Sequence, residues 1–226
     1  MSTYFLLALD WSEIWALMIP LGVLLVCRQQ PAGLKPIIVY LLLAFFINIA
    51  IDIIMAINLY DKESDLSNNP LYNLHSIIRF VCFSIFFIKL PHHSFTRFKK
   101  LLAASSLVFF LINFSFFENF FNYNSLSGNL LATEAYLLLV YCMLYYLSEL
   151  KDDSKNLFNS PDFWVVTGLS IYVVTNFFVF LFYLPMINID VDLAVNIWNV
   201  HNIAFIIFCL FLTKAFYGPV RYKYTN

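Results

Sequence analysis

A chain of 226 residues that is 62% hydrophobic, 19% aromatic and only 12% charged, with a mean hydropathy of +0.78, is not a water-soluble domain. Its apolar runs are about twenty residues long, enough to cross a bilayer as helices, and the short alternating strands of a membrane barrel are absent. The net charge of −1 points to no particular partner, and no nucleic acid is expected.

Seven apolar segments follow in order. Segment one (10–27) stops at Arg28-Gln29-Gln30-Pro31, and segment two (36–58) leads into the polar loop Asp61-Lys62-Glu63-Ser64-Asp65. Pro70 suits the first turn of segment three (71–90), which ends before Pro91-His92-His93. The basic loop Arg97-Phe98-Lys99-Lys100 precedes segment four (101–117). Segment five (129–150) follows a Ser- and Asn-rich loop, and segment six (163–184) follows Ser160-Pro161-Asp162. After Pro185 a short acidic loop with Asp190 and Asp192 opens segment seven (193–216). Met1 to Phe5 lacks basic residues and the first run carries Asp10 and Glu13, so no cleavable signal peptide is expected. Cys27, Cys82, Cys142 and Cys209 fall inside apolar runs without a CxxC pair and read as small core residues.

A motif occurs twice. Tyr72-Asn73-Leu74-His75-Ser76-Ile77 opens a run ending at Lys89, and Trp198-Asn199-Val200-His201-Asn202-Ile203 opens one ending at Lys214. Glu13 and Glu134, and Asn48 and Asn176, recur at a nearly constant offset. The expected fold is therefore all-α: a polytopic seven-helix bundle forming a single transmembrane domain over 1–226. Two parallel three-helix repeats (about 10–90 and 129–216) are joined by a linker helix (101–117). Arg28, Lys35, Lys89, Arg97, Lys99, Lys100, Lys151, Lys155, Lys214, Arg221 and Lys223 fall on one side, against Lys62 alone on the other. That asymmetry places the amino terminus outside and the carboxyl terminus in the cytoplasm.

Ionisable groups share one layer. At about 1.5 Å of rise per residue, Asp52 and Glu134 lie roughly 8–9 Å below the outer surface, His75 about 6 Å, and Arg79 and His201 about 12 Å. Charges at such depths face the bundle interior and pair, with Asp52 and Glu134 the natural counter-ions of Arg79. His75 with Arg79, Asn48 with Asp52, and Tyr172 with Asn176 each stand one turn apart. The ligand-binding candidates are Asp52, His75, Arg79, Glu134, Tyr172, Asn176 and His201. Isolated Asn48, Asn176, Tyr172, Asn196 and Asn199 also serve simply as interhelical hydrogen-bonding groups. Trp11, Trp15, Tyr60, Tyr72, Trp164 and Tyr217 read as an interfacial belt, and His92 and His93 as headgroup contacts.

A zinc hydrolase needs three protein ligands and an open position for water, and Glu13, His75, Glu134 and His201 are the metal-ligand candidates. Seven-helix membrane hydrolases bring three His with an Asp and a Ser, whereas two His lie inside the membrane here, and Arg79 repels a metal. A retinal site fails because Lys214 stands at the inner end of its helix. No phosphate loop or nucleophile elbow appears, so the chain is expected not to be an enzyme and to carry no cofactor.

Three helices, a linker and three helices resemble in topology the SWEET sugar transporters, without their paired prolines or proline-glutamine loop; Gln30-Pro31 is reversed. Ser160-Pro161-Asp162-Phe163-Trp164, Ile171-Tyr172, Asn176-Phe177-Phe178 and Ile197-Trp198-Asn199-Val200-His201-Asn202 resemble the seven-transmembrane sensor modules of bacterial histidine kinases. That resemblance implies a module of the bacterial inner membrane that senses something in or near the bilayer. Residues 1–226 hold no phosphoacceptor helix or ATP-binding domain, and the expected output is a separate cytoplasmic histidine kinase or other signalling protein. The expected ligand is small and polar or anionic, held by Arg79 and the two His. A small-solute or proton-coupled transporter is the alternative, and a metal-dependent membrane hydrolase the third.

Overall fold

The computed structural model describes residues 8–61, 66–90, 95–122, 125–150, 157–187 and 189–224. The charges of Lys62, Glu63, Asp65, Lys151 and Lys155, and His92 and His93, lie outside the described residues, as do the side chains of Arg221 and Lys223.

After helical residues 8–10, the described residues include the α-helices α1 (Ser12–Val26), α2 (Lys35–Tyr60), α3 (Asn69–Lys89), α4 (Thr96–Phe116), α5 (Gly128–Glu149), α6 (Pro161–Ile187) and α7 (Val191–Tyr224). Six of them, α2 to α7, are long and apolar enough to cross a membrane. The protein is thus a multi-pass helical membrane protein. Helix α1 is apolar but only 15 residues long, short of the seventh span expected from the sequence. Pro36 and Pro70 stand in the first turns of α2 and α3, where a missing N–H removes no helix bond.

Three boundaries differ from expectation. Pro185 does not stop α6, which closes at Ile187. So close to the end, proline deletes a single ladder bond. Arg97 to Lys100 form the opening turns of α4 rather than a loop. There Lys99 turns inward, donating from Nζ to the Phe87 carbonyl at 3.3 Å, while the Tyr141 hydroxyl donates to the Lys99 carbonyl at 2.8 Å. Helix α7 continues past Phe216 to Tyr224.

The helices close a ring. In order around it, α1 touches α2, α2 touches α3, α3 touches α5, α5 touches α6, α6 touches α7, and α7 returns to α1. Helix α4 lies outside, against α3 and α5. The closest pair is α6 and α7, where a Cβ on Gly168 would meet Phe211 Cβ at 2.5 Å. A small residue there lets two helix backbones approach in lipid.

The end at which α1, α3, α5 and α7 begin is here the upper end. Two devices tie it together. Glu118, beyond α4, accepts from the Asn129 and Leu130 backbone N–H groups at 2.8 and 3.4 Å, capping α5 with a carboxylate. Asn73 and Asn69 on α3 donate to the carbonyls of Phe120 and Asn122, drawing the α4–α5 loop across the top of α3. The lower half is packed with aromatic side chains. Phe83, Phe86, Phe87, Tyr141, Phe208 and Phe216 are fully buried, with Phe87 stacked on Tyr141 at 5.1 Å and Phe208 on Tyr172 at 5.2 Å.

Candidate functional site

The upper half holds a buried polar cluster contributed by α1, α3, α5, α6 and α7. Its centre is Arg79. The guanidinium donates from Nε to Glu134 Oε1 and from Nη2 to Oε2, both at 2.6 Å, in a two-pronged pair between α3 and α5. Nη1 donates to the Tyr172 hydroxyl on α6 at 2.8 Å. Ser76, three residues before Arg79 on the same face, donates to Glu134 Oε2 at 2.6 Å. Such a fork matches a carboxylate in plane, which makes an intramembrane arginine tolerable.

The second focus is His201 on α7. Its Nδ1 lies 2.6 Å from Asn176 Oδ1 on α6, and its Nε2 lies 3.2 Å from Glu13 Oε1 on α1. The imidazole stacks on Trp198 at 4.9 Å and meets the rings of Phe180 and Tyr172 at 5.6 and 5.8 Å. Asn48 donates to the Glu13 backbone carbonyl at 3.0 Å, fastening α2 to α1.

Between the two foci is a cavity of about 20 Å³, room for one water. It is lined by Glu13, Tyr72, His75, Ser76, Arg79, Leu131, Tyr172, Phe180, Trp198, His201 and Phe205. His75 stacks on Tyr40 at 5.8 Å, and its buried Nε2 has no hydrogen-bond partner. Ser12 Oγ, Tyr40 OH, Asn48 Oδ1, Asn176 Nδ2 and Asn202 Oδ1 are likewise buried and unpaired. Buried polar atoms are usually satisfied, and of these orphans His75 Nε2 is the one whose residue lines the cavity.

Six of the seven candidate binding residues therefore meet: His75, Arg79, Glu134, Tyr172, Asn176 and His201. Asp52 does not. It is half-buried on α2, within electrostatic reach of Glu13, and makes no hydrogen bond or ion pair among the described residues. Both α2 and α5 touch α3, but it is Glu134 on α5 that fills the Arg79 fork. The four metal-ligand candidates are also divided, with Glu134 spent on Arg79 and Glu13 on His201. No three His, Cys, Asp or Glu side chains form a metal-holding group among the described residues. All four cysteines are buried and free.

The interhelical role expected for the isolated amides holds for Asn48 and Asn176, whereas Asn196 is exposed. Ser76 and Trp198 act in the site although only their motif stood out in the sequence. Their signal was spacing: each is three residues from an ionisable group on its own helix.

No protein-family model, no curated protein and no solved structure matches this chain. The site's own geometry must carry the functional reading.

Proposed function

We propose that this chain is a sensory module of the bacterial inner membrane, with the amino terminus outside and the carboxyl terminus in the cytoplasm. Its seven helices act as two parallel three-helix repeats with α4 as the linker. The upper pocket binds a small polar ligand, and the lower ends of the helices engage a separate cytoplasmic partner, a histidine kinase or another signalling protein. It carries a signal and catalyses no reaction.

One observation carries this reading. A pocket lined by Glu13, Arg79, His201 and the unpartnered His75 Nε2 sits in the upper half, above a lower half of interlocked aromatic rings. A ligand there meets α1, α3, α6 and α7 at once, so occupancy biases their packing without offering the ligand a polar way through. Helix α7 supports the coupling toward the cytoplasmic side. It runs 34 residues, and Gln30, beyond α1, donates from Nε2 to the Phe216 carbonyl at 3.0 Å and the Cys27 carbonyl at 2.7 Å near its lower part.

A transporter is the second reading, favoured by the ring order. Exchanging α1–α2–α3 with α5–α6–α7 maps the α3–α5 contact onto the α7–α1 contact, as a two-fold parallel repeat requires. Spin labels at the lower ends of α1 and α7, measured in lipid with and without a bound ligand, test sensing. A ligand-dependent change in their separation, without solute flux into proteoliposomes, is expected. Flux above the leak of empty vesicles that disappears in His201→Ala gives the transporter reading precedence.

A further inference from the structure

A second recess, of about 570 Å³, runs along the outer side of α6 and α7 in their upper halves. Val174, Phe178 and Phe182 on α6 face Leu193, Ile197 and Val200 on α7, at the three- and four-residue spacing of single helix faces. Lower down, the two helices approach too closely at Gly168 and Phe211 to leave such a space. Higher up, Asn176 and His201 join them on the bundle side, and the recess opens on the opposite side. Most of its wall, Val174, Phe178, Phe182, Leu193 and Val200 included, is exposed there.

Its size and wall fit a hydrocarbon tail. The volume falls within the range of small-molecule sites, about 300–1,000 Å³. Among the described lining residues Thr175 carries the one hydroxyl, and it donates to the Ile171 carbonyl at 2.9 Å. From Val174 to Met186 the α6 wall rises by about 18 Å, close to half of a hydrocarbon core about 30 Å deep. An acyl tail of one leaflet therefore matches the groove end to end.

The headgroup follows from charge. Apolar contact by itself gains nothing over ordinary lipid, so retention depends on packing and on the polar end of the ligand. No Lys or Arg occurs between Lys155 and Lys214, so the α6–α7 turn brings no cation to the groove's upper end. It brings Asp190 and Asp192, both exposed. Asp190 stands three residues before Leu193, and its Oδ1 accepts from the Leu193 N–H at 3.0 Å. The start of α7, which would otherwise suit a phosphate, is thus already capped by a carboxylate. A headgroup carrying an ammonium complements this end, and a purely anionic one does not.

We infer that the groove holds one acyl tail of an ethanolamine-headed phospholipid from the leaflet at the upper end, its ammonium turned toward Asp190 and Asp192. The tail packs on Val179 and Ile197, which share a cluster with Phe180 and Trp198. Those two rings wall the polar cavity and touch His201, so groove and cavity are back to back.

The test is native mass spectrometry of the purified chain, released from nanodiscs holding equal amounts of ethanolamine- and glycerol-headed phospholipids with identical tails. A retained ethanolamine lipid is expected, in excess over the glycerol lipid. Val200→Trp fills the groove from an exposed position and should lose that adduct. Leu210→Trp, equally exposed on α7 but outside the groove, should keep it. Asp190→Asn keeps a capping side chain, removes the charge, and should erase the headgroup preference. In the unmutated chain the ethanolamine lipid should raise the melting temperature more than the glycerol lipid does. Equal retention of both lipids, no retained lipid, an undiminished adduct in Val200→Trp, or an unchanged preference in Asp190→Asn overturns the assignment. A dimer that Val200→Trp dissociates overturns it too, and gives the groove to a second copy of the chain. None of these readouts involves the polar cavity, so their failure leaves the sensory reading standing.

Discussion

Arg79 and Glu134 are joined by two parallel hydrogen bonds of 2.6 Å with almost no exposed surface on either side chain. They fasten α3 to α5, the contact by which one half of the ring meets the other on this side.

Glu134→Gln leaves a buried guanidinium without its counter-ion. Breaking one partner of a buried pair costs about 3–5 kcal/mol, whereas replacing both by apolar residues is far milder. Unfolding in detergent should show Glu134→Gln strongly destabilised and Arg79→Met with Glu134→Leu close to wild type. Additive losses in the double variant would contradict a compensated pair.

Gly168→Ala tests the tight α6–α7 contact. The new Cβ meets Phe211 Cβ at 2.5 Å, and neither it nor the Phe211 Cβ can rotate away. Overpacking of this kind costs about 1–3 kcal/mol. A melting curve of Gly168→Ala should fall below wild type, and Phe211→Ala should not rescue it, because the clashing Cβ is retained. Phe211→Gly should recover part of the loss in the same background.

Asn176→Leu removes the α6 partner of His201. Interhelical side-chain hydrogen bonds in membranes are worth about 0.6 kcal/mol on average and about 1.7 at most, so stability should drop modestly. The more telling readout is the nitrogen NMR spectrum of labelled His201, whose Nδ1 resonance should move. An unchanged Nδ1 signal would mean that Asn176 does not hold the ring.

Glu118→Ala strips the carboxylate cap from α5. Loss of such a cap costs about 1 kcal/mol. Hydrogen exchange at the Asn129 and Leu130 amides should quicken while the middle of α5 stays protected. Equal acceleration along α5 would argue for global destabilisation instead.

Much of the site was legible in one dimension because lipid makes polar residues conspicuous. An arginine, two histidines and a glutamate inside apolar runs must turn inward, and helical rise places them at one depth. Pairing was not legible. Glu134 and Asp52 have similar depths and both stand on helices that touch α3, and only the packed structure gives Arg79 to Glu134 and leaves Asp52 near Glu13.

Composition alone determined that this protein is a helical membrane protein, since apolar runs of this length can satisfy their backbone polar groups in lipid only as helices. The internal repeat of motifs, too, belongs to the sequence. Tertiary structure decided which groups were left over: Arg79 saturated by Glu134 and Tyr172, His201 held between Asn176 and Glu13, and His75 Nε2 alone beside a water-sized space. Hydrogen bonds between helices depend on ring order and on angstrom-scale approach, and neither is encoded by position along a single helix.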